Sequence, residues 1–358
     1  MSIPSNDQRL KKLRTGLITA NSLSLYPPSH SDHKILESTE DFDRVTVERI
    51  VTTLPSATEI VALLGLEGKV VGITHECDYP PEVRSKPVVM RSVFDSTKMT
   101  SRAIDDAVLE RITKGNSVYE IDEKLLRSLS PDLIITQELC EVCATPLREV
   151  SKTIANLDPK PRILSLTPHN LEEVLGDVIR VGRATGTLET ARQLVREYER
   201  RVNKVRERCA SSKIEHPSVF CLEWLDPVYC SGHWMPELVD YAGGKEILGR
   251  FGEPSTAVEW EDVLNADPEV IFVTVCGYDV GRTISEISTL TSKPKWNEMR
   301  AVKSGDVFVL DSPSFYSRSG PRLVDGLEIM AFLLHPGLFP DYKPPNSAVY
   351  SLSERRFI

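Results

Sequence analysis

Three cysteines stand where thiols could converge: Cys77 in THECDYP (74–80), and Cys140 and Cys143 in QELCEVCA (137–144). Each segment follows a short β-branched run, KVVGI or DLIIT, so all three lie just past the carboxyl end of an expected strand. Three thiolates suit zinc, or three corners of an iron–sulfur cluster, with His75 or an outside ligand completing the set. A C-x-x-C pair also suits dithiol–disulfide cycling. The plain alternative is that free cysteines are among the most buried residue types and pack as small hydrophobes. That alternative is taken for Cys209, Cys221 and Cys276. Around Cys77, Cys140 and Cys143 the acidic neighbours Glu76, Asp78, Glu138 and Glu141 favour a chemical role instead.

A second set of residues could hold a flat ligand. His75 and His233 sit on loops from opposite halves of the chain, where an imidazole could coordinate cobalt or iron. Trp224, Trp234, Phe315 and Tyr316 could supply apolar walls, because aromatic rings give large area with few rotamers to freeze. Arg91, Arg318 and Arg322 could grip propionate, amide or phosphate groups. Arg322 follows Gly-Pro and serves equally to start a helix. Glu76 and Tyr229 lie on the same loops and complete the ligand-binding candidates. Trp260 and Trp296 are taken as core. No role is assigned to His30, His33, His169, His216 or His335.

These loops need a scaffold that aims them together. From Val45 onward, short apolar runs alternate with amphipathic stretches across Pro/Gly turns, as in RIVTTL (49–54), ATEIVALLGL (57–66) and KVVGIT (69–74). That texture indicates βαβ units and a mainly parallel sheet, with ligands beyond the carboxyl ends of the strands. LLRSLSPDLIITQ (125–137) and VLNADPEVIFVTV (263–275) share one plan, a helix end, Pro plus an acid, then a buried strand. Two similarly built lobes follow. Between them, Leu188, Ala191, Leu194, Tyr198, Val202, Val205 and Cys209 fall on one helical face behind a candidate N-cap, Thr187. Some 22 helical residues reach roughly 33 Å, enough to cross from one lobe to the other. The expected divisions are an extension (1–44), a first α/β lobe (45–181), a linking helix (182–212), a second α/β lobe (213–340) and a tail (341–358).

Composition narrows the function. The chain has 358 residues, 41% hydrophobic and 27% charged, with a net charge of −9 and no basic stripe, which argues against nucleic acid. No apolar run is long enough to span a bilayer. The first residues carry no apolar leader segment, and seven irregularly spaced cysteines form no disulfide framework. A cytoplasmic location is expected from both. LKKLRTGLITANSLSL, basic and hydroxyl-bearing, leaves organelle targeting open. No P-loop, G-x-S-x-G or H-E-x-x-H pattern is present.

LPSATEIVALLGLEGKVVGITHECDYPPEV (54–83), PDLIIT, the central helix, AGGKEIL (242–248) and SRSGPRL (317–323) resemble the iron/cobalamin periplasmic-binding-protein superfamily. The resemblance is greatest to the cobalamin-binding proteins of bacterial importers, and it extends to cytosolic members carrying T-H-E-C-D-Y-P and Q-x-L-C-x-V-C-A. It implies an α/β fold of two Rossmann-like lobes with mainly parallel sheets, bridged by one long α-helix, with the ligand cleft between them. A corrinoid, haem or iron chelate would occupy that cleft. In importer-docked relatives each lobe offers a surface glutamate to permease arginines. Here those positions fall at Pro87 and Ser317, which argues against docking to an ABC permease. The expectation is a monomeric binder of a corrinoid or related metal chelate, acting as carrier, buffer or sensor rather than as a conventional enzyme. One alternative is a zinc or iron–sulfur metalloenzyme or redox protein built on Cys77, Cys140 and Cys143; a further one is the substrate-binding component of an ABC importer.

Overall fold

The computed structural model describes residues 46–137 and 157–358. The extension 1–44 and the segment that holds Cys140 and Cys143 lie outside these residues.

The first lobe follows the sequence pattern closely. Strand β1 (Ile50–Thr52) is buried throughout and runs into α1 (Pro55–Leu63), where Pro55 opens the first turn. Proline suits that position because its fixed φ is already helical and its missing N–H has no partner there to lose. Next come β2 (Val70–Thr74), β3 (Val88–Ser92), α2 (Ser101–Thr113), β4 (Tyr119–Ile121), α3 (Glu123–Leu129), β5 (Leu133–Gln137) and β6 (Arg162–Leu166). The sheet order is β4-β3-β2-β1-β5-β6, parallel except for the antiparallel edge β4.

Helix α4 (Leu171–Thr185) ends at Gly186, whose φ of 77° turns the chain back into α5 (Leu188–Ala210). The two helices pack tightly: a Cβ on Gly182 would stand 2.4 Å from the Ala191 methyl. Thr187 precedes α5 as expected, but its hydroxyl pairs with Thr185 at 2.9 Å and makes no capping bond.

The second lobe holds β7 (Ser218–Trp224), β8 (Tyr229–Cys230), α6 (Met235–Tyr241), β9 (Lys245–Glu246), β10 (Thr256–Ala257), α7 (Trp260–Ala266) and β11 (Val270–Val273). It continues through α8 (Val280–Glu286), α9 (Ser288–Thr291), α10 (Arg300–Ser304), β12 (Val307–Leu310), α11 (Ser312–Phe315) and α12 (Leu323–Leu334). Strands β13 (Val349–Ser351) and β14 (Arg356–Phe357), from the C-terminal tail, complete the sheet β10-β8-β7-β11-β12-β13-β14, with β9 also beside β7. Its centre is parallel and its edges are antiparallel.

The shared plan of the two lobes extends to single hydrogen bonds. Ser130 after α3 and Asp267 after α7 both take left-handed φ, 42° and 40°, immediately before a proline. The acid that follows then binds the start of the lobe's first strand. Asp132 accepts from the N–H groups of Glu48 and Arg49 at 2.9 Å, and Glu269 from Ser218 at 2.8 Å.

Helix α5 joins the lobes by dividing its apolar face between them. Ala191 belongs to the first lobe's core, with Leu194 and Val195 against it. Val202, Val205 and Cys209 belong to the second lobe's core, with Tyr198 against it. Near the boundary Arg201 binds Asp325 at 2.5 Å and Glu328 at 2.7 Å on α12. Burial on both sides holds this helix, whose 23 residues reach about 34 Å.

Candidate functional site

The loops that follow the parallel strands of both lobes meet one another between the two sheets. From the first lobe come Thr53–Ser56 after β1, His75–Asp78 after β2 and Thr167–His169 after β6. From the second come the turn after β7, Thr274–Asp279 after β11 and the 312–322 segment after β12.

Two seams cross this junction. The first is ionic. Glu59, 2% exposed on α1, takes Arg322 at 2.6 and 2.9 Å and Arg318 at 3.3 Å. Arg318 also donates to Asp78 at 2.5 Å and to the Glu76 carbonyl at 2.9 Å. Ser56 and Ser319 meet beside them at 3.3 Å. Arg318, expected to grip ligand, is therefore already held by two carboxylates. A buried carboxylate needs such partners, since an unpaired charge away from water is costly.

The second seam is apolar and aromatic. The Trp224 indole N–H donates to the Ser101 carbonyl at 3.1 Å, and its ring lies 5.4 Å from that of Tyr278. Tyr229 Oη lies 3.3 Å from Asp105, and Arg102 pairs with Asp226 at 2.8 Å. Trp224 and Tyr229 thus face helix α2 of the first lobe.

The remaining candidates are spread over several environments. Trp234 and Tyr316 are core residues, 4% and 2% exposed. The indole N–H of Trp234 donates to the Tyr316 carbonyl at 2.8 Å, and the phenol donates to the Gly326 carbonyl at 3.2 Å. Phe315 is half-buried, with the Arg322 guanidinium 5.8 Å from its ring centre. Arg91 is exposed on β3 opposite Glu120 of β4. His75 and Glu76 are exposed, with 4.0 Å between Nε2 and the carboxylate.

His233 has a left-handed φ of 52°, rare for a non-glycine residue. It is fastened by its N–H to the Glu253 carbonyl and by its own carbonyl to the Gly252 N–H. Its Nδ1 is buried without a partner among the described residues. Burial pushes its pKa down, and nearby His169 of the first lobe pushes the same way, both favouring the neutral ring. His75 ends β2 and His169 follows β6, three strand steps away in the sheet, about 14 Å.

Cys77 packs in the first lobe's core, 5% exposed, its sulfur 3.0 Å from Thr58 Oγ1. Burial pushes this thiol up, away from the thiolate that metal binding needs. Cys140 and Cys143 lie outside the described residues. Among those residues no group of three or more His, Cys, Asp or Glu side chains could hold a metal ion, so the zinc or iron–sulfur expectation gains no support.

Sequence reasoning missed Glu59, Asp78, Ser101 and Asp226. Glu59 carried a usable signal, an acid inside the apolar stretch ATEIVALLGL. Glu223 was also passed over: burial pushes its carboxyl up to about 7, partly offset by the Ser255 hydroxyl at 2.5 Å.

A family model described as periplasmic binding protein matches residues 50–314. An ABC transporter substrate-binding lipoprotein of Bacillus subtilis, YvrC, is 26% identical over 338 residues, covering 88% of this chain and 93% of its own. A vitamin B12-binding protein of Vibrio cholerae is 25% identical over 287 residues, 78% of this chain and 87% of its own. Among solved structures, a periplasmic heme binding protein from Pseudomonas aeruginosa superposes with a TM-score of 0.64 at 19% identity, over 85% of this chain and 97% of that one. The periplasmic vitamin B12 binding protein of Vibrio cholerae gives 0.60 at 22%, over 81% and 97%. At such identities the superpositions establish the fold.

These comparisons overturn the cytoplasmic expectation, because the relatives are a transporter lipoprotein and periplasmic proteins. The physical reason is plain. A folded two-lobed binder has the same composition on either side of a membrane, and four of the five free cysteines described are buried, which carries no redox signature.

Proposed function

Since the chain belongs to the periplasmic binding protein family, whose model spans residues 50–314, we propose that it is the substrate-binding component of an ABC importer and that its cleft takes up a corrinoid. The observation that carries the ligand is the alignment of 78% of the chain with a vitamin B12-binding protein. The geometry agrees with a flat metal chelate. Loops from two lobes supply opposed surfaces, and a neutral imidazole is the form that coordinates cobalt or iron. His233 fits that role better than His75, because its backbone is fixed on both sides and its protonation is suppressed. Arg318 and Arg322 shape the cleft through Glu59 and Asp78. Docking to a permease then uses groups other than glutamates at Pro87 and Ser317.

The test is a visible-spectrum titration with hydroxocobalamin, dicyanocobinamide and haemin. Saturable uptake of a corrinoid at one equivalent is expected, with the coordination-dependent band shift lost in His233→Ala and kept in His75→Ala. Uptake of haemin alone would move the ligand to porphyrins. Uptake of none of the three would remove the reading.

A further inference from the structure

Residues 93–118 leave the first sheet after β3 and return to it at β4, so the base of this excursion is fixed by the Met90–Ile121 and Ser92–Tyr119 pairs and by the Val93 N–H bond to the Val118 carbonyl. Its middle packs on the second lobe. Ile104 is buried in the second lobe's core, with Phe94, Met99 and Val108 against the same cluster. Polar bonds surround that insertion. The Ser101 N–H donates to Glu286 at 2.8 Å, its carbonyl accepts the Trp224 indole N–H at 3.1 Å, and Arg282 donates to the Met99 carbonyl.

We propose that residues 93–118 are an inter-lobe clasp that sets the separation of the two lobes and thereby governs release of what the cleft holds. The bridging helix and the Glu59 seam already join the lobes. The clasp adds a further connection, on turns that follow β7 and the end of β11, the same edge of the second lobe that would meet a ligand. Apolar insertion dominates the connection. An exposed ion pair, Arg102 with Asp226, has side chains 44% and 28% exposed, and such pairs contribute little in water. The release function rests on the cleft being the binding site, whereas the control of lobe separation does not.

The experiment uses the full chain in two measurements. Small-angle scattering of the ligand-free protein reads lobe separation, and a chase of bound hydroxocobalamin reads release. Ile104→Asp puts a charge in the second lobe's core. The radius of gyration is expected to rise by about 1 Å over a compact-chain value of roughly 20 Å, and hydroxocobalamin to leave at least about five times faster. If Ile104→Asp does not fold, the double variant Ile104→Ala/Val108→Ala, which trims the apolar insertion without adding a charge, carries the same readouts with a smaller rise. Unchanged scattering in a folded variant overturns the clasp. A wild-type protein that takes up no hydroxocobalamin removes the corrinoid reading, while scattering still decides the clasp.

Discussion

The two seams between the lobes solve one problem with opposite chemistry. At the first, Glu59 is sealed from water and surrounded by Arg318 and Arg322, so the contact holds by charge that water cannot screen. At the second, Ile104 and its apolar neighbours enter the other lobe's core, and the polar bonds form a rim around them. The ionic seam is short in sequence on both sides, one helix turn against the 318–322 segment. The apolar seam spends a whole excursion of chain. A buried ion pair fixes geometry but punishes the loss of one member, whereas apolar burial degrades in proportion to the area removed.

That contrast predicts a ranking. Glu59→Ala should have the largest effect, about 3–5 kcal/mol in urea unfolding, because the Arg322 guanidinium is left buried and unanswered while Arg318 keeps only Asp78 and the Glu76 carbonyl. Adding Arg322→Leu to it should restore a large part of the loss; no restoration would mean that the carboxylate acts by packing alone. Ile104→Ala should cost about 2–4 kcal/mol, the usual range for truncating a buried aliphatic side chain. A cost under about 1 kcal/mol would show that the second lobe's core closes without it.

The next effect depends on pH. Glu223 precedes Trp224, and its carboxyl is pushed up to about 7 from an ordinary 4.5. A raised carboxyl contributes stability that is fully present below its unfolded value and lost as pH rises through its folded one. Wild-type protein should therefore lose on the order of 2 kcal/mol from this group between pH 5.5 and 8. Glu223→Gln should flatten that part of the melting-temperature profile, and parallel profiles would refute the assignment. Arg102→Ala should be smallest, below about 1 kcal/mol, and smaller still in high salt.

The sequence revealed the parts of this molecule that depend on local period. Alternating apolar runs located β1, β2 and β5, and the Pro-acid repeat located the matching turns at Ser130 and Asp267. The face of α5 was readable because its spacing persists over six turns. The seams were not readable. SRAIDDAVLERIT is an amphipathic helix whose period says nothing about which lobe buries it, and α2 packs on the lobe it does not belong to. Trp234 and Tyr316 were expected as walls because they follow strands, yet rings of that size bury most readily where a carbonyl waits for the N–H or O–H. Cys77 shows the same limit: its acidic neighbours point outward while the thiol points into the core.

The last strands carry a consequence for synthesis. Strand β12 stays bare along one side until β13 pairs onto it and β14 onto β13, and these come from residues 349–357. A ribosome must reach residue 349 before that edge can be covered, whereas every described strand of the first lobe has emerged by Leu166. Unpaired strand edges invite association with other chains. The nascent second lobe is thus open to association until those residues emerge, and a chain cut before residue 349 would keep that edge bare.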